Sequence, residues 1–153
     1  MNVSKAKYAG KKHRENKETN EDHVLAQQIT KNVSVVVVAD GAGSKKHGGA
    51  TADCITKYVV QYCTENANRE DFLDCVMSGL FSYVNRNLLN MIQEADGQID
   101  DYGATMLFAI VCGNRYFAGH IGDGVILLKN GIDFKVLSLP ENGEYINQTY
   151  FFL

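Results

Sequence analysis

Four consecutive valines, residues 35–38, run through Ala39 straight into Asp40-Gly41-Ala42-Gly43, and the glycines recur at Gly48 and Gly49. An unbroken β-branched run ended by glycine predicts a strand buried on both faces. Asp40 is then the first polar side chain to emerge, at the strand's mouth, where water is scarce. A carboxylate placed there needs a cation, a set of hydrogen-bond donors or a raised pKa. Gly41 and Gly43 allow close backbone approach and a turn where a side chain would clash, leaving their carbonyls free to face the same ion. An aspartate that opens an ordinary strand-to-helix turn explains the stretch equally well. A phosphate-cradling loop does not. Gly43 and Gly48 have the Walker spacing, but Gly49-Ala50 stands where lysine and a hydroxyl residue are required.

The flanking chain supplies elements for a sheet and helices. Residues 3–11 suggest a short first strand, and residues 12–20 form a polar loop. Glu21-Asp22 then leads into a strand over residues 23–26. Neighbours on a strand point to opposite faces, so one carboxylate of this pair faces a given site directly and the other acts through water or a second ion. A solvated turn is the plainer account of the pair alone. A helix is predicted over residues 48–64, with Ile55, Tyr58, Val59, Tyr62 and Cys63 on one stripe. Another is predicted over residues 71–94, with Val76, Leu80, Val84, Leu88 and Ile92 among its apolar positions. Both stripes are expected to pack on a sheet. The acidic loop at residues 95–102 reads as solvated charge. Strands over 104–112, 115–121, 125–129 and 134–139, separated by Gly113-Asn114, Gly122-Asp123-Gly124 and Asn130-Gly131, predict an antiparallel meander. The closing Thr-Tyr-Phe-Phe-Leu reads as the start of one more core strand. An apolar edge of that kind would be covered in a whole domain, so an incomplete domain is expected.

Composition narrows the functional classes. A chain of 153 residues forms one domain with a real core. A net charge of −3 removes any general electrostatic reason to bind nucleic acid. No apolar run approaches the roughly 18 residues of a membrane span, and no apolar leader begins the chain, so a cytoplasmic location without membrane is expected. The four cysteines show no Cys-x-x-Cys spacing and are expected reduced and buried, which argues against zinc. His13, His23 and His47 match no metal spacing, and His120 reads as a hydrogen-bonded sheet residue. Asp123, between glycines, is by default a hairpin residue. No Ser-His-Asp arrangement is evident. Glu21, Asp22, Asp40 and Asp123 all fall at predicted strand ends, an all-oxygen set suited to Mg²⁺ or Mn²⁺. Two such ions can lower the pKa of a bound water and clamp a phosphoryl group. A metal-dependent phosphoryl hydrolase is the reading that follows.

Five segments carry a more specific resemblance. Asn-Glu-Asp at residues 20–22, Val-Ala-Asp-Gly-Ala-Gly at 38–43, Gly-Ala-Thr at 103–105, Gly-His-Ile-Gly-Asp-Gly at 119–124 and Pro-Glu-Asn-Gly-Glu-Tyr-Ile-Asn-Gln-Thr at 140–149 occur in that order. In these the chain resembles the metal-dependent protein phosphatases of the PPM type (protein phosphatase 2C), especially the bacterial-type branch. The resemblance implies an α+β fold, a four-layer α/β/β/α sandwich of mostly antiparallel sheets, of which residues 1–153 are the N-terminal portion. It implies two or more Mn²⁺ or Mg²⁺ ions. Asp40 would bridge them, Glu21 and the Gly41 carbonyl would ligate one, and Asp22 would hold a metal-bound water. Asp123 would serve an additional, weaker site. The bridging water would attack phosphoserine or phosphothreonine of a phosphoprotein substrate directly, which makes Asp22 and Asp40 the catalytic pair. Where many members carry a phosphate-binding arginine this chain has Lys17, a point charge without the bidentate fork, and His13 and Arg14 are the other phosphate-contact candidates. The family's later metal acids lie beyond Leu153, so a catalytically silent binding or regulatory module is the alternative, as is a partner segment that completes the domain.

Overall fold

The computed structural model describes residues 4–7, 20–140 and 149–153. Strands β1 (His23–Gln28) and β2 (Val33–Ala39) form a hairpin. Its turn is closed by the Ile29 and Thr30 amides donating to the Val33 carbonyl, while the Thr30 hydroxyl accepts from the Asn32 and Val33 amides. Helices α1 (Gly48–Asn66) and α2 (Phe72–Glu94) follow, then a single 3₁₀ turn at Ile99–Asp101. Strands β3 (Met106–Cys112), β4 (Arg115–Ile121), β5 (Ile126–Asn130) and β6 (Asp133–Ser138) complete the order. The first four strands make one antiparallel sheet in the order β1-β2-β3-β4, and β5 and β6 pair separately.

Side-chain alternation decides what the sheet buries. Val33, Val35 and Val37 of β2 point to one face, joined by Phe108 opposite Val37 and Ile110 opposite Val35. Against them pack Ile55, Val59 and Cys63 of α1 and Val76, Leu80, Val84 and Leu88 of α2, as the two helical stripes predict. Each such side chain contributes about 1.5–3 kcal/mol when fully buried. The opposite face differs from the expectation for β2. Val36 is only half-buried and Val38 is 42% exposed. The helices cover one face alone, and on the other Val36, Val38, Leu107 and Ala109 line a shallow apolar groove with Val125 and Leu127. β-Branched residues report strand propensity whether or not their outer face is covered.

The meander is also interrupted. β4 and β5 do not pair, because the chain leaves the first sheet at Gly122 and enters the second at Ile126. Of the proposed first strand, residues 4–7 are described and are not a strand, and the rest lies outside the described residues. The terminal segment does enter the core. The Phe152 amide donates to the Ala104 carbonyl at 2.8 Å, and the buried Phe152 ring stacks on Phe81 at 6.2 Å. Instead of a full strand it makes isolated bridges, among them that of Phe152 with Ala104. The four cysteines are free, but only Cys63 is fully buried, and that burial pushes its thiol up to about 12. The α+β class with antiparallel sheets stands. Among the described residues no helix is long and apolar enough to cross a membrane.

Candidate metal centre

The site begins where β2 ends. Beyond Ala39 the backbone keeps pairing with the residues that precede β3. The Asp40 amide donates to Thr105 Oγ1 at 2.9 Å, the Thr105 amide returns a bond to the Asp40 carbonyl at 2.8 Å, and the Ala42 amide donates to the Gly103 carbonyl at 3.0 Å. Thr105 is buried, so this clasp is shielded from competing water. α1 then starts in contact with the loop. A Cβ on Gly41 would lie 2.6 Å from the Gly48 carbonyl carbon, and one on Gly48 would lie 2.5 Å from the Ala42 oxygen. The close approach expected of Gly41 is therefore real, but its counterpart is Gly48. Gly43 has open room, its nearest neighbour being Glu21 Oε2 at 3.8 Å, and neither Gly41 nor Gly43 has a positive φ. The acidic loop at 95–102 contributes through its backbone: the Asp100 carbonyl accepts from Lys45 Nζ and the Asp101 carbonyl from the His47 amide.

Four carboxylates face this clasp. The Asp22 amide donates to Asn20 Oδ1 at 2.8 Å, a local turn that sets Glu21 and Asp22 at the head of β1. Gly122 adopts φ +118° and presses so closely on Thr105 that a Cβ would meet its Cγ2 at 2.7 Å. That conformation, open to glycine, brings Asp123 round to the same place. Glu21, Asp22, Asp40 and Asp123 consequently line one pocket of about 250 Å³. Burial of its carboxyl, then the Asp22 carboxyl within hydrogen-bond reach, then the charges of Asp22, Asp123 and Glu21 raise the Asp40 pKa from 3.8 to about 6. Asp40 nevertheless keeps an exposed side toward the pocket. The direction therefore rests chiefly on the neighbouring acids, since the open side limits what dehydration adds.

A divalent cation suits this set in donor type: every candidate ligand is a hard oxygen, and the crowded negative charge lacks a cationic side chain among the described residues lining the pocket. The acids surround the pocket without pinching on one point. Among the described residues no three His, Cys, Asp or Glu side chains are grouped closely enough to hold an ion. Mg²⁺ is ordinarily held by one or two carboxylates and keeps several waters, so such spacing is compatible with it.

The structure thus brings Glu21, Asp22, Asp40, Gly41 and Asp123 together, while His13, Arg14 and Lys17 lie outside the described residues. His120 is not the hydrogen-bonded sheet residue expected. Its Nε2 is buried on β4 with no partner among the described residues. His23 stands 3.4 Å from Asp53 of α1, and burial, then the Lys7 charge, lowers its pKa. Sequence reasoning gave no role to Thr105 or Thr149, both of which line the pocket. The only signal was their place in two of the five segments; a hydroxyl that bonds a distant residue leaves no periodic trace.

A family model described as protein phosphatase 2C matches residues 9–153. The chain is similar to serine/threonine-protein phosphatase 3 of Escherichia coli (strain K12), with 25% identity over 118 residues that cover 76% of this chain and 47% of that protein. Among solved structures, a serine/threonine phosphatase of S. agalactiae aligns with a TM-score of 0.64 at 18% identity, covering 81% of this chain and 51% of that one. A serine-threonine phosphatase 2C from Toxoplasma gondii aligns with a TM-score of 0.59 at 15% identity, covering 83% and 47%. The structural likenesses show the fold, and the chain spans about half the length of the relatives it matches. With the family model covering nearly all of it, this chain belongs to the protein phosphatase 2C family.

Proposed function

We propose that the pocket is the acidic part of a metal-dependent phosphoprotein phosphatase site that hydrolyses phosphoserine and phosphothreonine. The observation that carries this reading is the convergence of Glu21, Asp22, Asp40 and Asp123 on one pocket in a chain of this family. Asp40, Glu21, the Gly41 carbonyl and Asp123 would together hold Mn²⁺ or Mg²⁺ ions, Asp123 contributing to weaker binding. Ions bound there would supply positive charge for the phosphoryl group and lower the pKa of water. The chain's own residues do the rest. Thr105 fixes the Asp40 backbone from both sides, so the point from which the carboxylate projects is set before an ion arrives. Asp22, beside Asp40, orients a water by accepting its hydrogen. His13, Arg14 and Lys17 supply the cationic contacts for the substrate phosphate, and no phosphoenzyme is needed.

The test is Mn²⁺-dependent hydrolysis of p-nitrophenyl phosphate by the chain, with Asp40→Ala as control. Turnover in the parent and none in the variant is expected; equal turnover in both would remove Asp40 from the site. The spacing of the acids favours one second reading, a silent module that binds an ion without catalysis. It predicts Mn²⁺ binding that Asp40→Ala abolishes, with no hydrolysis by either protein.

A further inference from the structure

We infer that Thr149 is a positioning residue for Asp123, an inference that rests on the proposed role of Asp123 as a metal ligand. Thr149 Oγ1 donates a hydrogen bond to Asp123 Oδ2 at 3.0 Å, and among the described residues no other side chain hydrogen-bonds to Asp123. Asp123 is exposed, so without this bond its side chain would rotate freely at the pocket rim. Its acidic neighbours across the pocket are Glu21, Asp22 and Asp40, which repel it toward solvent. A hydroxyl opposes that repulsion by hydrogen bonding and brings no positive charge of its own. Lysine or arginine in the same place would neutralise the carboxylate and compete with a cation. Threonine engages one oxygen and leaves Oδ1 available.

The hydroxyl is itself held from behind. Three residues on, Phe152 is buried against Phe81 and bonded to Ala104. Between them, the Tyr150 carbonyl lies against Gly122, 3.5 Å from where a Cβ would stand. The same terminal segment thus braces the turn that presents Asp123 and the carboxylate it carries. A buried ring at one end and a hydroxyl at the other give the segment a fixed length and direction.

The test is titration of the 153-residue chain with Mn²⁺ alone, followed by calorimetry and by electron paramagnetic resonance of the free ion, for the parent, Thr149→Val, Thr149→Ser and Asp123→Ala. Supporting groups behind metal ligands typically change affinity roughly 10- to 100-fold. Thr149→Val should weaken the weaker class of Mn²⁺ sites by that factor, Thr149→Ser should retain it, and Asp123→Ala should remove that class. Weakening in Asp123→Ala with parental binding in Thr149→Val would overturn the positioning role and leave the metal reading intact. Parental binding in Asp123→Ala would instead overturn the metal reading of Asp123. Weakening in Thr149→Ser with parental binding in Thr149→Val would mean that the methyl group's packing, and not the hydroxyl, is what matters. Should Thr149→Val melt below the assay temperature, Thr149→Ala carries the same test.

Discussion

Replacing Thr105 by valine isolates the hydroxyl that clasps Asp40. Valine preserves the branched shape against which Gly122 packs and removes only the acceptor for the Asp40 amide. An amide left without a partner costs about 1–3 kcal/mol, and this one, next to an exposed residue, belongs in the lower half of that range. For a domain of this size each kcal/mol shifts the melting temperature by about 2–4 °C, so a fall of roughly 2–8 °C is expected. The companion variant, Thr105→Ser, keeps the oxygen and loses one methyl, about 0.8 kcal/mol. The two differ more sharply in ion binding. With the Asp40 backbone released, Mn²⁺ affinity in Thr105→Val should fall by about tenfold, equivalent to 1.4 kcal/mol, while the serine variant binds as the parent does. Melting curves and Mn²⁺ calorimetry on the three proteins settle it. A valine variant that melts and binds like the parent would show that the clasp contributes nothing to holding Asp40.

Gly48→Ala puts a methyl 2.5 Å from the Ala42 oxygen, so loop and helix must separate. Overpacking of that kind costs about 1–3 kcal/mol, more than the roughly 1 kcal/mol that alanine gains in a helix, and urea unfolding should show a net loss of stability. The pH dependence of the ion-free chain is the other expectation. Asp40 holds its proton to about 6 in the folded chain against an ordinary 3.8. Between those values the folded state binds more protons than the unfolded one, so stability falls as pH rises through the window and is level above it. Asp40→Asn should flatten that slope in chemical denaturation between pH 4 and 6.5; an unchanged slope would mean the neighbouring acids do not perturb Asp40.

The elements were legible because each rests on a local signal. Apolar residues at helical spacing place α1 and α2 to within two residues, and β4 falls on the predicted residues 115–121. The acids of the pocket were legible for a different reason: each stands where a strand ends, and strand ends collect at one edge of a sheet. What could not be read was anything set by the facing partner. Val38 carries the same side chain as Val37, yet one is 42% exposed and the other fully buried, since helices cover a single face. Gly48 and Gly43 look alike in the sequence, and only the first has a backbone pressed against it. The hydroxyls of Thr105 and Thr149 are bonded to Asp40 and Asp123 across long stretches of chain, beyond the reach of any pattern in a window of neighbours.

The rung at Ala104 has a consequence for the order in which this molecule assembles. Ala104 pairs on one side with Gly41 and on the other with Phe152, so a single residue joins an early and a late part of the chain. Closing two long loops on one point costs entropy that only later contacts return. The β1–β2 hairpin and the two helices can form from near neighbours, whereas the acids meet only once both loops are shut. The pocket therefore forms after these local elements. In the finished molecule the amides of Ala42 and Phe152, which bond to Gly103 and Ala104, should exchange with solvent together.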